Sequence, residues 1–116
     1  MPNDIYDMYA SIFKALAHPT RLKIIELLAT HGEMCVCNIG EKLNIDQPSV
    51  SKHLSILKNV GIIESKKQGL TVNYKIRMPC AVDFLRCASE VVKADLDAKF
   101  ALSRKMIDNK KEEKSK

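Results

Sequence analysis

The feature that most constrains the fold is a change of periodicity at Gly61. Before it, apolar residues recur at three- and four-residue spacing, which is typical of amphipathic helices. After it, two β-prone runs, Ile62–Lys67 and Leu70–Ile76, flank the dipeptide Gln68-Gly69. A glycine between two such runs predicts a β-hairpin. The chain is therefore expected to be mainly α-helical with one inserted hairpin.

Five helices are predicted around this hairpin. Pro19 separates the first two, because the residue before a proline avoids helical geometry while the proline suits a first helical turn. Asp46 can cap a later helix, since its carboxylate can accept from the amides of the first turn. The predicted helices are 4–17, 19–30, 36–43, 47–59 and 78–106. The order α-α-α-α-β-β-α, with two short helices joined by a tight turn before the hairpin, predicts a winged helix-turn-helix.

The chain length of 116 residues is that of one domain. This domain is placed at residues 1–108, and the charged segment 109–116 is expected to be a disordered tail. The sequence has no apolar run near the ~18–20 residues that span a bilayer, and its first residues do not resemble a signal peptide. We therefore expect a cytoplasmic protein, in which a close cysteine pair favours metal binding or redox chemistry over a structural disulfide.

Residues 44–61 contain the predicted DNA-reading helix. With Val50, Leu54 and Leu57 facing the core, the opposite face is polar and cationic and carries no acid. Glutamine can pair with adenine, and serine and lysine can contact bases or phosphates. The alternative is an ordinary solvated helix, and two lysines at the hairpin tip favour DNA binding over it. His53 is expected to be packed and hydrogen-bonded within the helix. The predicted DNA contacts are Gln47, Ser49, Ser51, Lys52 and Ser55 on the helix and Lys66, Lys67 and Gln68 on the hairpin.

Cys35 and Cys37 lie in the segment EMCVCNIGEKL, which precedes the predicted DNA-reading helix. Helical residues two apart are separated by about 200° around the axis, so one ion could bind both thiolates only if the first turn deforms. Binding would then deform the helix that precedes the DNA-reading helix. A ligand shifts a conformational equilibrium by the difference between its affinities for the two conformations. Thiolates favour As(III), Sb(III), Cd(II), Pb(II) or Cu(I) over hard ions. Two small buried residues are the alternative interpretation.

Four segments resemble the arsenical-resistance/metallothionein repressor family (ArsR/SmtB). They are ALAHPTRLKIIELL, CVC, QPSVSKHLSILKNVGII and KKQGLTVNYKI, in this order, within about residues 8–78. The resemblance implies a homodimeric repressor, joined through its first and last helices, that leaves double-stranded operator DNA when a soft metal or metalloid binds. A two-fold dimer implies an inverted-repeat operator with half-sites about one helical turn apart, or a multiple of it.

The resemblance also bears on the inducer. Arsenite-responsive members carry C-V-C-x-x-C, and Cys35 and Cys37 match the first two thiols while Gly40 stands at the third position. The implied inducer is As(III) or Sb(III), with no permanent cofactor, and its third ligand must come from elsewhere. Cadmium- and lead-responsive relatives recruit cysteines from the N-terminal segment, where this chain has none. Zinc-responsive relatives use an Asp/His set on the last helix, where this chain has Asp83 but no histidine, since none follows His53.

Cys80 and Cys87, near and on the last predicted helix, could supply the missing sulfur, also from a partner subunit. Either could instead pair with Cys35 or Cys37 as a disulfide or polysulfide, and the same repressor would then sense oxidants or persulfides. A thiol oxidoreductase or metal chaperone is disfavoured, because the spacing is C-x-C and no βαβ pattern surrounds it. Three histidines without clustered carboxylates predict no enzyme. A module that binds only protein would lack salt-dependent DNA affinity.

Overall fold

The computed structural model describes the backbone of residues 4–114 and the side chains of residues 4–105. The fold is a winged helix-turn-helix, as the sequence predicts, with α3 and α4 as the helix-turn-helix and β2 and β3 as the wing. The described residues up to Val82 form one compact unit, and those from Asp83 onward form a second. The elements are α1 (Ile5–Leu16), α2 (Pro19–His31), β1 (Glu33–Cys35), α3 (Val36–Leu43), α4 (Gln47–Asn59), β2 (Ile63–Gln68), β3 (Thr71–Ile76) and α5 (Pro79–Lys114).

The core of the first unit joins α2, α3, α4 and β2. The side chains predicted to face inward from α4 are fully buried, which confirms the assignment of its two faces. Burying each large aliphatic side chain contributes about 1.5–3 kcal/mol, so this core fixes α4 against its neighbours. The most deeply buried side chains are Ile24, Ile25, Leu28, Ile39, Val50, Leu54, Leu57, Ile62 and Ile63.

A third strand, β1, extends the hairpin into a sheet of order β1-β3-β2. It pairs antiparallel with β3, with Met34 opposite Tyr74 and Cys35 opposite Asn73. The sequence did not predict this strand, because three residues are too few to show a period of two. Its consequence is that Cys35 ends a strand and does not lie inside a helix.

The wing has a two-residue turn. Gln68 pairs with Thr71, which leaves Gly69 and Leu70 between the strands. Gly69 has φ +64° and Leu70 does not have a positive φ, so the turn requires its glycine at the first central position. The hairpin was therefore predicted correctly, with strand starts that differ by one residue.

The last helix is longer than the predicted 78–106. α5 continues to Lys114 and so passes the boundary at 109 where the sequence predicts a disordered tail. Lysine and glutamate, which dominate that segment, have good intrinsic helix propensity. The domain boundary at 108 stays a prediction. Within the described residues, α5 is not apolar enough to cross a membrane, and no other helix is both long and apolar enough.

Candidate nucleic-acid interface and thiol site

The N-terminus of α4 is capped by Asp46, as the sequence predicts. The Asp46 carboxylate accepts from the backbone N–H of Ser49 at 3.1 Å. The Ser49 hydroxyl lies 2.9 and 3.0 Å from the two carboxylate oxygens and donates to them. The side-chain bond from Ser49, followed by its backbone bond, lowers the pKa of Asp46 below its ordinary value. The hydroxyl hydrogen of Ser49 thus serves the cap, so a DNA contact from Ser49 is limited to its role as an acceptor.

The predicted reading face of α4 is exposed to solvent. Gln47, Ser51, Lys52 and Ser55 are all exposed, opposite the buried side of the helix. These side chains present amide, hydroxyl and ammonium groups, which are the groups that contact base edges and phosphates. Their contact with DNA stays a prediction.

The predicted wing contacts are also exposed. Lys66, Lys67 and Gln68 lie at the end of β2, next to the turn. The Gln68 side-chain oxygen accepts from the Asn73 amide at 3.0 Å, across the hairpin. This bond braces the tip and does not use the amide N–H groups of Gln68. Contact of Lys66, Lys67 and Gln68 with DNA stays a prediction.

α4 also carries His53, which is packed and hydrogen-bonded as expected. Its Nδ1 accepts from Arg21 Nε at 3.1 Å, and its ring lies against the ring of His18 with centroids 4.6 Å apart. Sequence reasoning did not predict the roles of Arg21 and His18. The three residues lie in the segments HPTR (18–21) and KHL (52–54). No local sequence pattern indicates that these two segments contact each other.

The cysteine pair lies at the joint between β1 and α3. Cys35 is the N-cap of α3, half-buried, with an extended backbone (φ −87°, ψ 164°), and Cys37 is exposed in the first turn. The premise that both cysteines are helical residues about 200° apart is therefore wrong, because the strand ends at Cys35. The alternative of two buried small residues is also wrong for Cys37. A ligand bound by both sulfurs would act on the strand–helix joint.

The third ligand of a trigonal thiolate site is not preassembled. Residues 4–105 contain no group of three or more histidine, cysteine or acidic side chains that could hold a metal ion. All four cysteines are free; Cys80 and Cys87 are exposed and lie in the first and the second unit, respectively. Two thiols suit a soft thiophilic ion, and the remaining ligand would have to come from solvent or from a rearranged chain.

Gly40, which stands at the position of the missing third thiol, lies close to the backbone of the turn between α3 and α4. It is buried in α3, and a Cβ built on it would lie 2.9 Å from the backbone oxygen of Ile45. The Ile45 N–H donates to the Gly40 oxygen at 2.9 Å, and Asn44 ends α3 with φ +56°. This turn brings α3 and α4 together, so a side chain at residue 40 requires the backbone at Ile45 to shift.

We expect Gly40→Ala to lower the free energy of unfolding by about 1–3 kcal/mol, the usual cost of overpacking. The reason is that the new methyl group meets a backbone oxygen, which cannot swing aside as a flexible side chain could. Urea denaturation followed by circular dichroism measures the change. The matched control is Asn38→Ala, at an exposed position of the same helix. If both variants are as stable as the parent chain, the turn is less tight than described.

An open groove of about 540 Å³ lies between α3 and the start of α4. Cys37 lines it from the first turn of α3, and Gln47 lines it from the first turn of α4. The candidate inducer thiol and a candidate DNA contact thus border the same space. The other lining residues are Gly40, Glu41, Asn44, Ile45 and Asp46.

Comparison with known proteins adds independent findings. Residues 18–65 match the family model described as bacterial regulatory protein, arsR family. An uncharacterised helix-turn-helix transcriptional regulator of Methanocaldococcus jannaschii is 52% identical over 64 residues, which cover 55% of this chain and 72% of that protein. The arsenical resistance operon repressor of Escherichia coli is 43% identical over 65 residues, which cover 56% of each chain. The match thus spans about half of the arsenical repressor.

A solved structure supports the same architecture. The solution structure of a homodimeric winged helix-turn-helix DNA-binding domain from Mycobacterium bovis, described as a possible ArsR-family regulator, superimposes with a TM-score of 0.71. The two chains are 29% identical, and the superposition covers 79% of this chain and 84% of that one.

Proposed function

Because the chain belongs to the ArsR family of bacterial regulatory proteins, we propose that it is a repressor that releases operator DNA when As(III) or Sb(III) binds Cys35 and Cys37. Its class is that of DNA-binding transcriptional regulators and not of enzymes.

The shared groove carries the link between inducer and DNA. A metalloid held by Cys37 would occupy or distort the groove that Gln47 also lines. The turn between α3 and α4 is tight, with the Ile45 N–H bonded to the Gly40 oxygen, so a shift of α3 would move α4 as well. Repression would then depend on two shapes of the joint, of which the inducer stabilises one.

The proposed active form is a homodimer joined through α1 and α5. Each helix exposes several large apolar side chains. Single exposed apolar residues are common on protein surfaces, whereas a series of them marks an interaction surface. The homodimeric Mycobacterium bovis domain has the same fold, which supports this assembly. The exposed apolar residues are Ile5, Tyr6, Met8, Tyr9 and Phe13 on α1 and Phe84, Val91, Val92, Leu96, Phe100 and Leu102 on α5.

A second candidate keeps the repressor and changes the signal to oxidants or persulfides. Its support is that Cys80 and Cys87 are exposed free thiols. It predicts that an oxidant releases DNA in metal-free buffer and that a reductant restores binding.

DNA binding is tested by fluorescence anisotropy of a labelled duplex taken from directly upstream of this chain's own gene. We expect the reduced chain to prefer it over a scrambled duplex by about 10³-fold or more at physiological salt. The logarithm of affinity should fall linearly with the logarithm of salt concentration, because lysine–phosphate contacts release counterions. Equal, salt-independent affinity for both duplexes would contradict the proposed function.

A further inference from the structure

Arg21 connects α1 and α2 with α4, the predicted DNA-reading helix. Its Nε donates to Nδ1 of His53 on α4 at 3.1 Å, and its Nη1 donates to the backbone oxygen of Ala15 in the last turn of α1 at 3.3 Å. Arg21 itself lies in the first turn of α2. One guanidinium group thus adds to the apolar core a hydrogen bond that joins α4 to α2 and another that joins α2 to α1.

Both histidines of this cluster accept through the same ring nitrogen. His18 caps α2, with its Nδ1 accepting from the Thr20 N–H at 3.1 Å. His53 accepts from Arg21 through Nδ1. A nitrogen that accepts a hydrogen bond carries no proton, and a histidine that gains a proton becomes a donor at both nitrogens. Protonation of either ring therefore removes its bond, and at His53 it places a cation against the guanidinium.

The charges around His53 oppose that proton. Burial, followed by His18, Arg21 and Lys52, lowers the pKa of His53 below its ordinary value of 6.5. α1, α3 and β2 also pack on α4, and none of their charged side chains in the described residues is among these main influences. The folded chain binds a proton at His53 more weakly than the unfolded chain does. The stabilising effect of neutral His53 is therefore complete above about pH 6.5 and is lost as the pH falls below that value.

We propose that Arg21, His18 and His53 form a latch that holds α4 in its DNA-reading position and opens when His53 becomes protonated. The latch makes Arg21 a positioning residue, because it acts on DNA only through the placement of α4. This inference rests on the proposed function, in that α4 reads the operator. Discrimination between operator and other DNA should then fall as acidity increases.

Opening the latch should lower the preference for the operator over other DNA and should not weaken binding to all DNA equally. Protonated histidines add positive charge to the chain, which favours binding to any DNA. Reading base edges requires the correct position of a few side chains, and this position is held less closely when α4 loses its bond to Arg21. The measured quantity is therefore the ratio of the dissociation constants for the scrambled and the upstream duplex.

The experiment measures this ratio by anisotropy at pH 7.5 and pH 5.5 with the full chain. In the parent chain we expect the ratio to fall about tenfold, on the order expected for loss of one hydrogen bond to a charged group. His53→Gln should keep the ratio within about threefold, because its amide oxygen accepts from Arg21 at both pH values. His31→Gln, at an exposed histidine in the last turn of α2, should behave as the parent chain does.

A further variant, Arg21→Lys, keeps the charge and loses the forked donor. It should show the lowered ratio already at pH 7.5, with affinity for the scrambled duplex within about twofold of the parent. A ratio that does not change with pH in the parent chain, or that falls as much in His53→Gln as in His31→Gln, would overturn the latch.

A readout without DNA separates the latch from the proposed function. Between pH 7.5 and pH 5.5 the thermal midpoint should fall further in the parent chain than in His53→Gln, and equal decreases would overturn the latch. Failure of the parent chain to prefer the upstream duplex at pH 7.5 would count against the proposed function, and the thermal comparison would still decide the latch.

Discussion

Lys52→Glu should bind the upstream duplex ~100-fold more weakly than the parent chain, since like charges placed together at an interface cost several kcal/mol. Lys52 is exposed on the reading face, and the substitution exchanges a phosphate-binding cation for an anion. Anisotropy titrations at several salt concentrations measure the effect. The slope of log affinity against log salt should also become shallower, by about one unit for each phosphate that the chain no longer neutralises.

The control for this variant is Lys23→Glu, which makes the same charge change at an exposed position of α2. α2 carries none of the predicted DNA contacts, so its effect should be limited to the weaker long-range change in net charge. Equal decreases in affinity in the two variants would mean that charge alone acts, and that Lys52 does not face the DNA.

Cys35→Ser and Cys37→Ser should each keep their affinity for the upstream duplex within about twofold and lose the response to arsenite, because a hydroxyl is a poor ligand for a thiophilic ion. Each variant leaves one thiol at the β1–α3 joint, which cannot couple the strand to the helix. Anisotropy of the DNA complex during an anaerobic arsenite titration measures the response. A normal response in both variants would exclude the pair as the inducer site.

Cys80→Ser and Cys87→Ser serve as matched controls, since they remove exposed thiols from α5. Both should respond to arsenite as the parent chain does if solvent supplies the third ligand. A weakened response in one of them alone would identify that cysteine as the third sulfur.

Much of the fold could be predicted from local signals. Pro19 and Asp46 mark helix starts by their backbone and capping chemistry, and the structure begins helices at Pro19 and directly after Asp46. The glycine in the wing turn and the inward-facing apolar residues of α4 were equally readable. These features depend on residues within one turn of each other, which is the range over which sequence patterns are informative.

The features that were missed depend on contacts between distant segments. β1 exists because β3 offers an edge to Glu33–Cys35, and that pairing moves Cys35 out of the helix. The bond between Arg21 and His53 joins residues 32 positions apart. The steric demand at Gly40 comes from the chain path after Asn44, where α3 ends with a positive φ. None of these has a periodic signature.

Titration of arsenite into the reduced chain on its upstream duplex, under anaerobic conditions, shows whether a metalloid releases this chain from DNA. We expect the anisotropy to fall to the value of free DNA near one arsenite per protomer, and a competing dithiol to restore binding. Tight binding that ignores excess arsenite and antimonite would contradict the metalloid switch. Release by an oxidant in buffer without arsenite or metal ions, reversed by a reductant, would then assign the signal to redox chemistry at the cysteines.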